Sequence, residues 1–325
     1  MKLKGEKVRK ALVVGIDYYE SINCLNGCVK DSYSVNSILE NNGDGTVNFD
    51  VVHLTATGEN NKISRKFLKD KTIELFRDNS DVAVFYFAGH GFIEDTGGYL
   101  LTSDSVEGDD GFKLDELLKI ANDSPAKSKV IILDSCHAGA AGSPKIMGDS
   151  AFIKEGITIL SASGENQYAL EIDGSGVFTT LLVDALEGGA ANLVGDVTPG
   201  SVYAHIDQSL GAWEQRPVFK TNVKQFTNLR KVQPPITLQD LKKIIVLFPH
   251  RSHEFQLDPS FEPEGQHEKN EANIEKFRIL QQYNRLNLVK PSYTLHMYHA
   301  AMESKNCRLT VLGAHYWNLV TRKRI

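Results

Sequence analysis

The feature that most constrains the fold is a regular alternation of short apolar runs and helical segments between Lys10 and about Phe219. The candidate strands are Ala11 to Ile16, Phe49 to Leu54, Val82 to Phe87, Val130 to Leu133, Ile157 to Ser161 and Pro217 to Phe219. The candidate helices between them are Val29 to Glu40, Ser64 to Asn79, Leu114 to Asn122, Gly176 to Glu187 and Gly200 to Leu210. Strands that are separated by helices predict an α/β fold, with a mostly parallel six-stranded sheet and helices on both faces. Sheets of this kind carry their functional residues after the carboxyl ends of the strands.

The pattern changes at Pro234 and Pro235, because two prolines stop regular structure. We therefore predict a first domain over residues 1–232, and a linker with a small second domain over residues 233–325. The second domain begins with a helix, Leu238 to Leu247, followed by a polar loop over 249–273. Apolar residues at helical spacing then predict three more helices over 274–286, 293–301 and 309–321, weakly similar to a winged-helix domain.

Composition excludes several classes of protein. The chain is 41% hydrophobic and 24% charged, as globular proteins are, and none of its apolar runs is long enough to cross a bilayer. The amino-terminal residues lack the apolar core of a signal peptide, so we expect a cytoplasmic protein without membrane contact. A net charge of −5 argues against nucleic acid as a partner. Four cysteines without paired C-x-x-C spacing predict reduced thiols rather than disulfides or a zinc site: Cys24, Cys28, Cys136 and Cys307.

Two of the predicted strands are followed by residues with catalytic chemistry. His90 lies between two glycines after the third strand, and Cys136 follows the fourth. If these strands are neighbours, the imidazole can take the thiol proton and later protonate a leaving amine. The backbone amides of Gly91 and Cys136 are then placed to stabilise an oxyanion. His137 is a rival base, but adjacent residues at a strand end point apart, which favours His90.

These residues belong to a larger set of motifs that resembles the caspase-fold peptidases, and among them the bacterial metacaspase-like members. The matching segments lie within residues 10–220 and are Val13 to Asp17, Leu25 to Asp31, Phe87 to Gly91, Asp134 to Gly139 and Ser161 to Ser163. His90 precedes Cys136 by roughly the 50 residues of the caspase signature, whereas Asp134 stands where that signature has Gln.

The resemblance implies an acidic substrate pocket. In the metacaspase-like branch the positions of Asp31 and Asp134 line the specificity pocket, with Cys28 at its wall. Two carboxylates attract a guanidinium or ammonium group and repel the aspartate that caspases accept, so we expect cleavage after Arg or Lys. The alternative interpretation gives both aspartates structural roles instead of a substrate pocket: Asp31 caps a helix turn, and Asp134 only orients His137.

The resemblance also bears on calcium and on maturation. Many metacaspases bind calcium through an Asp-Asp-Glu-Leu run. The corresponding segment here, Leu114 to Leu117, has only one of the two aspartates. Asp109 and Asp110 lie nearby, but they are typical of a solvated turn. We therefore expect no required cofactor. Caspase-fold zymogens are commonly cut after the catalytic cysteine, and Lys145 is the first basic residue of that segment, which makes it the candidate for self-cleavage.

The combined prediction is a cysteine endopeptidase that cleaves proteins after Arg or Lys. Its relatives imply activation by a partner protein in a bacterial defence or cell-death pathway, with residues 236–325 as the docking domain. Three alternatives stay open: a catalytically silent caspase-fold adaptor, a peptidase with another residue preference, and a protein regulated by nucleic acid through its second domain.

Overall fold

The computed structural model describes residues 8–94, 97–135, 153–162, 171–172, 175–210, 216–264 and 270–325. The chain divides into two compact units, Met1–Gln233 and Pro234–Ile325. No helix in the described part of the chain has both the length and the apolar composition that a bilayer crossing requires.

A six-stranded sheet forms the centre of the first unit. Its strands are β1 (Arg9–Ile16), β2 (Asp50–Ala56), β3 (Val82–Ala88), β7 (Ser128–Asp134), β8 (Ile157–Ser161) and β12 (Val218–Asn222). They lie in the order β12-β8-β7-β3-β1-β2. All neighbours run parallel except β12, which is antiparallel to β8. The predicted α/β fold with a mostly parallel six-stranded sheet is thus confirmed.

Helices cover both faces of this sheet. They are α1 (Cys28–Glu40), α2 (Arg65–Arg77), α3 (Leu114–Asp123), α4 (Val177–Asp184) and α5 (Pro199–Ser209). Strand β3 is buried along its whole length, because Val84 and Tyr86 pack with α1, α4 and α5 while Phe85 and Phe87 pack with α2 and α3. Helix α4 is shorter than predicted, since a π-helical turn over Ala185–Gly189 follows it.

Short strands flank the main sheet. A three-stranded antiparallel sheet consists of β4 (Gly91–Glu94), β5 (Gly97–Leu100) and β6 (Phe112–Lys113). Two further ladders pair β9 (Glu171–Ile172) with β10 (Ser175–Gly176), and β11 (Asp196–Val197) with β13 (Arg230–Lys231). The sequence did not predict these strands, because two to four residues are too few to show an alternating pattern.

The second unit is mixed α/β, whereas the sequence predicted helices and a loop. Its helices are α6 (Leu238–Lys242), α7 (Ile244–Leu247), α8 (Glu271–Arg285), α9 (Met297–Met302) and α10 (Val311–Thr321). A three-stranded antiparallel sheet accompanies them, formed by β14 (Glu254–Gln256), β15 (Val289–Pro291) and β16 (Asn306–Leu309) with β16 in the centre. The helix predicted from Tyr293 begins only at Met297, because Tyr293 has a left-handed φ of 65° that a right-handed helix cannot contain.

Candidate active site

The carboxyl ends of the parallel strands meet at one edge of the main sheet, and three polar side chains lie at or just after these ends. Ala88 of β3 lies opposite Gly15 of β1 on one side and Asp134 of β7 on the other. Asp17, His90 and Asp134 therefore leave neighbouring strands at the same edge. This is the edge at which open α/β sheets bind their ligands.

His90 is held in a defined orientation at this edge. Its backbone N–H donates to the Tyr19 hydroxyl over 2.8 Å, and the two rings lie 4.8 Å apart, centroid to centroid. The ring atom Nε2 lies 2.8 Å from the backbone oxygen of Asn23. Because a carbonyl oxygen only accepts, we assign the proton to Nε2, and Nδ1 of the neutral ring is then the acceptor. The ring is partly buried and therefore reachable.

The next residue, Gly91, presents its backbone N–H away from the neighbouring strand. Gly91 lies opposite Leu100, and the N–H of Leu101 donates to the oxygen of His90 over 2.9 Å. In an antiparallel ladder, residues that exchange hydrogen bonds alternate with residues that do not. The bond at His90 therefore makes Gly91 a position that does not exchange bonds with β5, so its N–H is directed to the other side of the strand.

Three of the predicted site residues, Cys136, His137 and Lys145, lie outside the described residues. The chain before them is described as far as Ser135, which is buried and directly follows β7. Asp134, two positions before Cys136, is the last residue of β7 and lies opposite Ala88, two positions before His90.

Asp17 fixes the start of helix α1. Its Oδ1 accepts the backbone N–H of Cys28 over 2.9 Å and that of Val29 over 3.3 Å, which satisfies two of the amides that a helix start leaves without partners. Gly15 lets α1 approach β1 closely, because a Cβ there would collide with Ser32 and with the oxygen of Cys28. The chain thus places Cys28 and Asp31, both buried, beside the carboxyl edge of the sheet.

The carboxylates of Asp31 and Asp134 both contact the start of helix α4. Asp31 Oδ2 accepts the backbone N–H of Gly176 over 2.9 Å, and Asp134 Oδ2 accepts the hydroxyl of Thr179 over 2.6 Å. A Cβ built on Gly176 would lie 2.8 Å from Asp134 Oδ2 and 3.3 Å from Asp31 Oδ2. The two buried carboxylates therefore converge on one point at the start of α4.

This geometry differs from the alternative in which Asp31 only caps its own helix. Asp17 receives the first amides of α1, whereas Asp31 reaches across to Gly176 at the start of another helix. A cleft of about 320 Å³ between α1 and α4 includes Asp31 in its wall, together with the carboxylates of Asp184 and Glu187.

The acidic residues considered for calcium lie in and beside a turn. Asp110 Oδ2 accepts the backbone N–H groups of Val106 and Glu107, as the aspartate of a tight turn does. Asp115 is partly buried at the start of α3, and this burial raises the pKa of its carboxyl. Among the residues that the structure describes, no group of three His, Cys, Asp or Glu side chains converges as a metal site would require.

Sequence reasoning missed several residues that shape this region: Tyr19, Asn23, Tyr86, Gly176 and Thr179. Tyr86 is fully buried, and its hydroxyl lies 2.6 Å from the hydroxyl of Thr179. Tyrosine inside an otherwise apolar strand was the one available signal, since a buried hydroxyl requires a partner. Nothing in the sequence shows that Asn23 contributes a backbone oxygen, because every residue has one.

Comparisons with known proteins agree with this architecture. Over 173 residues the chain is 28% identical to Metacaspase-1 of Scheffersomyces stipitis, covering 45% of this chain and 40% of that protein. Over 171 residues it is 30% identical to Metacaspase-1 of Meyerozyma guilliermondii, covering 45% and 39% of the two chains. The matched region thus spans about two fifths of these curated relatives.

Two solved structures show the same fold at low sequence identity. Caspase-1 from Spodoptera frugiperda superposes with a TM-score of 0.51 at 13% identity, over 70% of this chain and 91% of that one. A protein from Geobacter sulfurreducens gives the same TM-score at 16% identity, over 70% of this chain and all of that one. The family model for the caspase domain matches residues 8–234. The chain therefore belongs to the caspase domain family of cysteine peptidases, as a member similar to metacaspases.

Proposed function

We propose that the protein is a cysteine endopeptidase in which Cys136 is the nucleophile and His90 the general base. The observation that supports this most directly is the register between β3 and β7, which pairs Ala88 with Asp134, each two residues before a member of the dyad. In the proposed reaction, His90 takes the proton of the Cys136 thiol, and the thiolate attacks the peptide carbonyl carbon. The protonated imidazole then gives that proton to the leaving amine, and water hydrolyses the thioester.

The surroundings of His90 suit this role. The Asn23 oxygen holds the proton on Nε2, so Nδ1 is the nitrogen available to the thiol, and the same oxygen stabilises the imidazolium that forms. We assign the oxyanion contacts to the backbone N–H groups of Gly91 and Cys136. The orientation of the Gly91 amide, away from β5, supports its part in this assignment.

We further propose that the peptidase cleaves after Arg or Lys. Asp31 and Asp134 are buried, converge on one point and lie at the edge from which the dyad would act. A cationic side chain between two carboxylates gains charge-assisted hydrogen bonds, whereas an aspartate side chain would be repelled. Cys28, at the start of α1, forms part of the proposed pocket wall.

A cleavage profile tests both proposals. Peptides that differ only in Arg, Lys or Asp before the scissile bond should be cut in the first two cases and not in the third. Cys136→Ala and His90→Ala should each remove cleavage, while Asp31→Asn and Asp134→Asn should raise KM for basic peptides. Asp123→Asn on the exposed end of α3 is the matched control. Cleavage after Asp would refute the pocket assignment.

A silent caspase-fold adaptor is the competing function. Alkylation of Cys136 by a peptide electrophile with a basic side chain separates it from an unactivated enzyme, because reaction requires the thiolate and the pocket but not turnover. A protein that neither cleaves peptides nor reacts at Cys136 would be an adaptor.

Self-cleavage after Lys145 is part of the proposal for a zymogen. Intact-mass measurement of active protein should show the two fragments that a cut after Lys145 produces, whereas the Lys145→Gln and Cys136→Ala variants should remain uncut. An uncut active protein would exclude maturation by this route.

We also propose that the second unit docks a protein activator, as a regulated defence or cell-death response would require. Its turn before α9 projects Tyr293 and Leu295 almost fully into solvent, at 90% and 89% exposure, and Tyr298 and Met302 continue this surface along α9. Tyr293→Ser with Leu295→Ser should lower reporter cleavage in cells but leave alkylation of the purified full chain unchanged. Val246→Ser, at an apolar site in α7 that is 75% exposed, is the control. Unchanged cleavage in cells would refute this surface.

A further inference from the structure

Two buried hydroxyl groups, those of Tyr86 and Thr179, connect the core of the sheet to the proposed substrate pocket. Tyr86 lies in the centre of β3, and Thr179 lies in the first turn of α4. Neither side chain is accessible to solvent. We infer that they form a relay that orients the carboxylate of Asp134, and that Thr179 is thereby a positioning residue for recognition of the basic side chain.

The direction of the relay follows from the number of protons available. Thr179 Oγ1 donates to Asp134 Oδ2 over 2.6 Å, and a hydroxyl has only one proton to give. The contact of 2.6 Å between Tyr86 and Thr179 must therefore have Tyr86 as its donor. Burial raises the pKa of Tyr86 well above its ordinary value, and the negative charge of the nearby Asp134 carboxylate adds to this effect. The tyrosine therefore keeps its proton at any pH of interest.

The relay acts on the carboxylate that the pocket needs. A hydrogen bond to an ionised group is shorter and stronger than one between neutral groups, and it fixes the plane of the acceptor. With Oδ2 tied to Thr179 on the α4 side, Asp134 meets a ligand in one orientation instead of having to select it on binding. Preorganisation of this kind lowers the cost of binding. The inference rests on the proposed cationic specificity of the Asp31 and Asp134 pocket.

A purely structural role is the alternative, because the same bonds also attach α4 to the sheet. The two roles differ in which property changes when the hydroxyl is removed. A structural loss would weaken every ligand and substrate alike. Loss of the relay would weaken cationic ligands selectively, because only they interact with Asp134 through charge.

Ligand binding to the full-length Cys136→Ala protein separates these roles without requiring peptidase activity. The probes are agmatine, which carries the guanidinium of arginine, and its neutral ureido analogue (4-hydroxybutyl)urea, in which a ureido group and a hydroxyl replace the two charged ends, both followed by calorimetry. Thr179→Val removes the hydroxyl at nearly constant volume, Thr179→Ser retains it, and Thr179→Val with Tyr86→Phe avoids leaving the tyrosine hydroxyl without an acceptor. Thr72→Val is the matched control, since Thr72 is a buried threonine of α2 on the other face of the sheet.

We expect Thr179→Val, alone and with Tyr86→Phe, to weaken agmatine binding about tenfold. This loss of affinity corresponds to the lower end of the range that a hydrogen bond to a charged group contributes. Thr179→Ser and Thr72→Val should bind as the parent does, and the ureido analogue should bind all variants alike. Equal agmatine affinity in Thr179→Val and the parent would overturn the relay and leave the proposed specificity intact. Equal losses for both probes would establish the structural role instead. No agmatine binding by the parent would overturn the relay together with the basic specificity.

Discussion

Gly176 offers the sharpest test of the pocket, because it lies where Asp31 and Asp134 converge. Its backbone has φ −65° and ψ 132°, an extended conformation that alanine adopts without strain. Gly176→Ala therefore changes only the space between the carboxylates. The added methyl carbon would lie 2.8 Å from Asp134 Oδ2, closer than real Cβ contacts, so either the carboxylate or the start of α4 must move.

The magnitude follows from the local packing. Asp134 is only 7% exposed and is tied to Thr179, so it has little room to yield. Overpacking at a buried site costs about 1–3 kcal/mol, and displacing a hydrogen bond to a carboxylate costs a similar amount. We expect a loss of about 2 kcal/mol in the free energy of unfolding, equivalent to a fall of about 5 °C in Tm. The displaced carboxylate should also raise KM for an arginyl peptide at least about tenfold.

The measurements are thermal unfolding of the full chain and steady-state kinetics on an arginyl peptide. Gly58→Ala is the matched control, since it too is extended and a Cβ there meets nothing within 4 Å. If Gly176→Ala and Gly58→Ala unfold at the same temperature and have the same KM, the carboxylates do not converge on Gly176 and the reasoning fails.

Four further predictions follow from other parts of the structure. Tyr19→Phe should lower kcat with little change in KM, because it leaves the backbone N–H of His90 without its acceptor; unchanged kcat would contradict this. Burial lowers the pKa of His53, so the midpoint of its NMR titration should lie below 6.5. The folded protein should therefore lose stability as the pH decreases from 6.5 toward that lower pKa, and His53→Gln should reduce this loss. Burial raises the pKa of Cys307 to about 12, so iodoacetamide at pH 8 should label exposed Cys24 and spare Cys307, as peptide mass mapping will show. Chelation of calcium should leave peptide cleavage unchanged, and loss of cleavage that calcium restores would refute this.

The sequence alone determined the architecture of the first unit. The four central strands, β1, β3, β7 and β8, are apolar runs that are buried almost throughout, and such runs are visible because helices cover both sides of a parallel sheet. The same rule located His90 and Asp134, since polar residues directly after buried strands mark the functional edge. It also applied to Asp17 after β1, although its role at the start of α1 required the structure.

The second unit was less predictable for a physical reason. Its strands are three or four residues long, too short to show a period of two, and the turn containing Tyr293 has a backbone conformation that an aromatic residue rarely adopts. Spacing alone therefore predicted helix where the chain turns.

The tertiary structure decided which groups act on which. Asp31 and Gly176 are separated by 145 positions and Tyr86 and Thr179 by 93, yet each pair is joined by one hydrogen bond. Such pairs arise only once α1 and α4 pack on the same face of the sheet, which brings distant polar groups into a buried space where each must find a partner. The sequence indicates which residues carry the chemistry, whereas packing determines how their protons and charges are arranged.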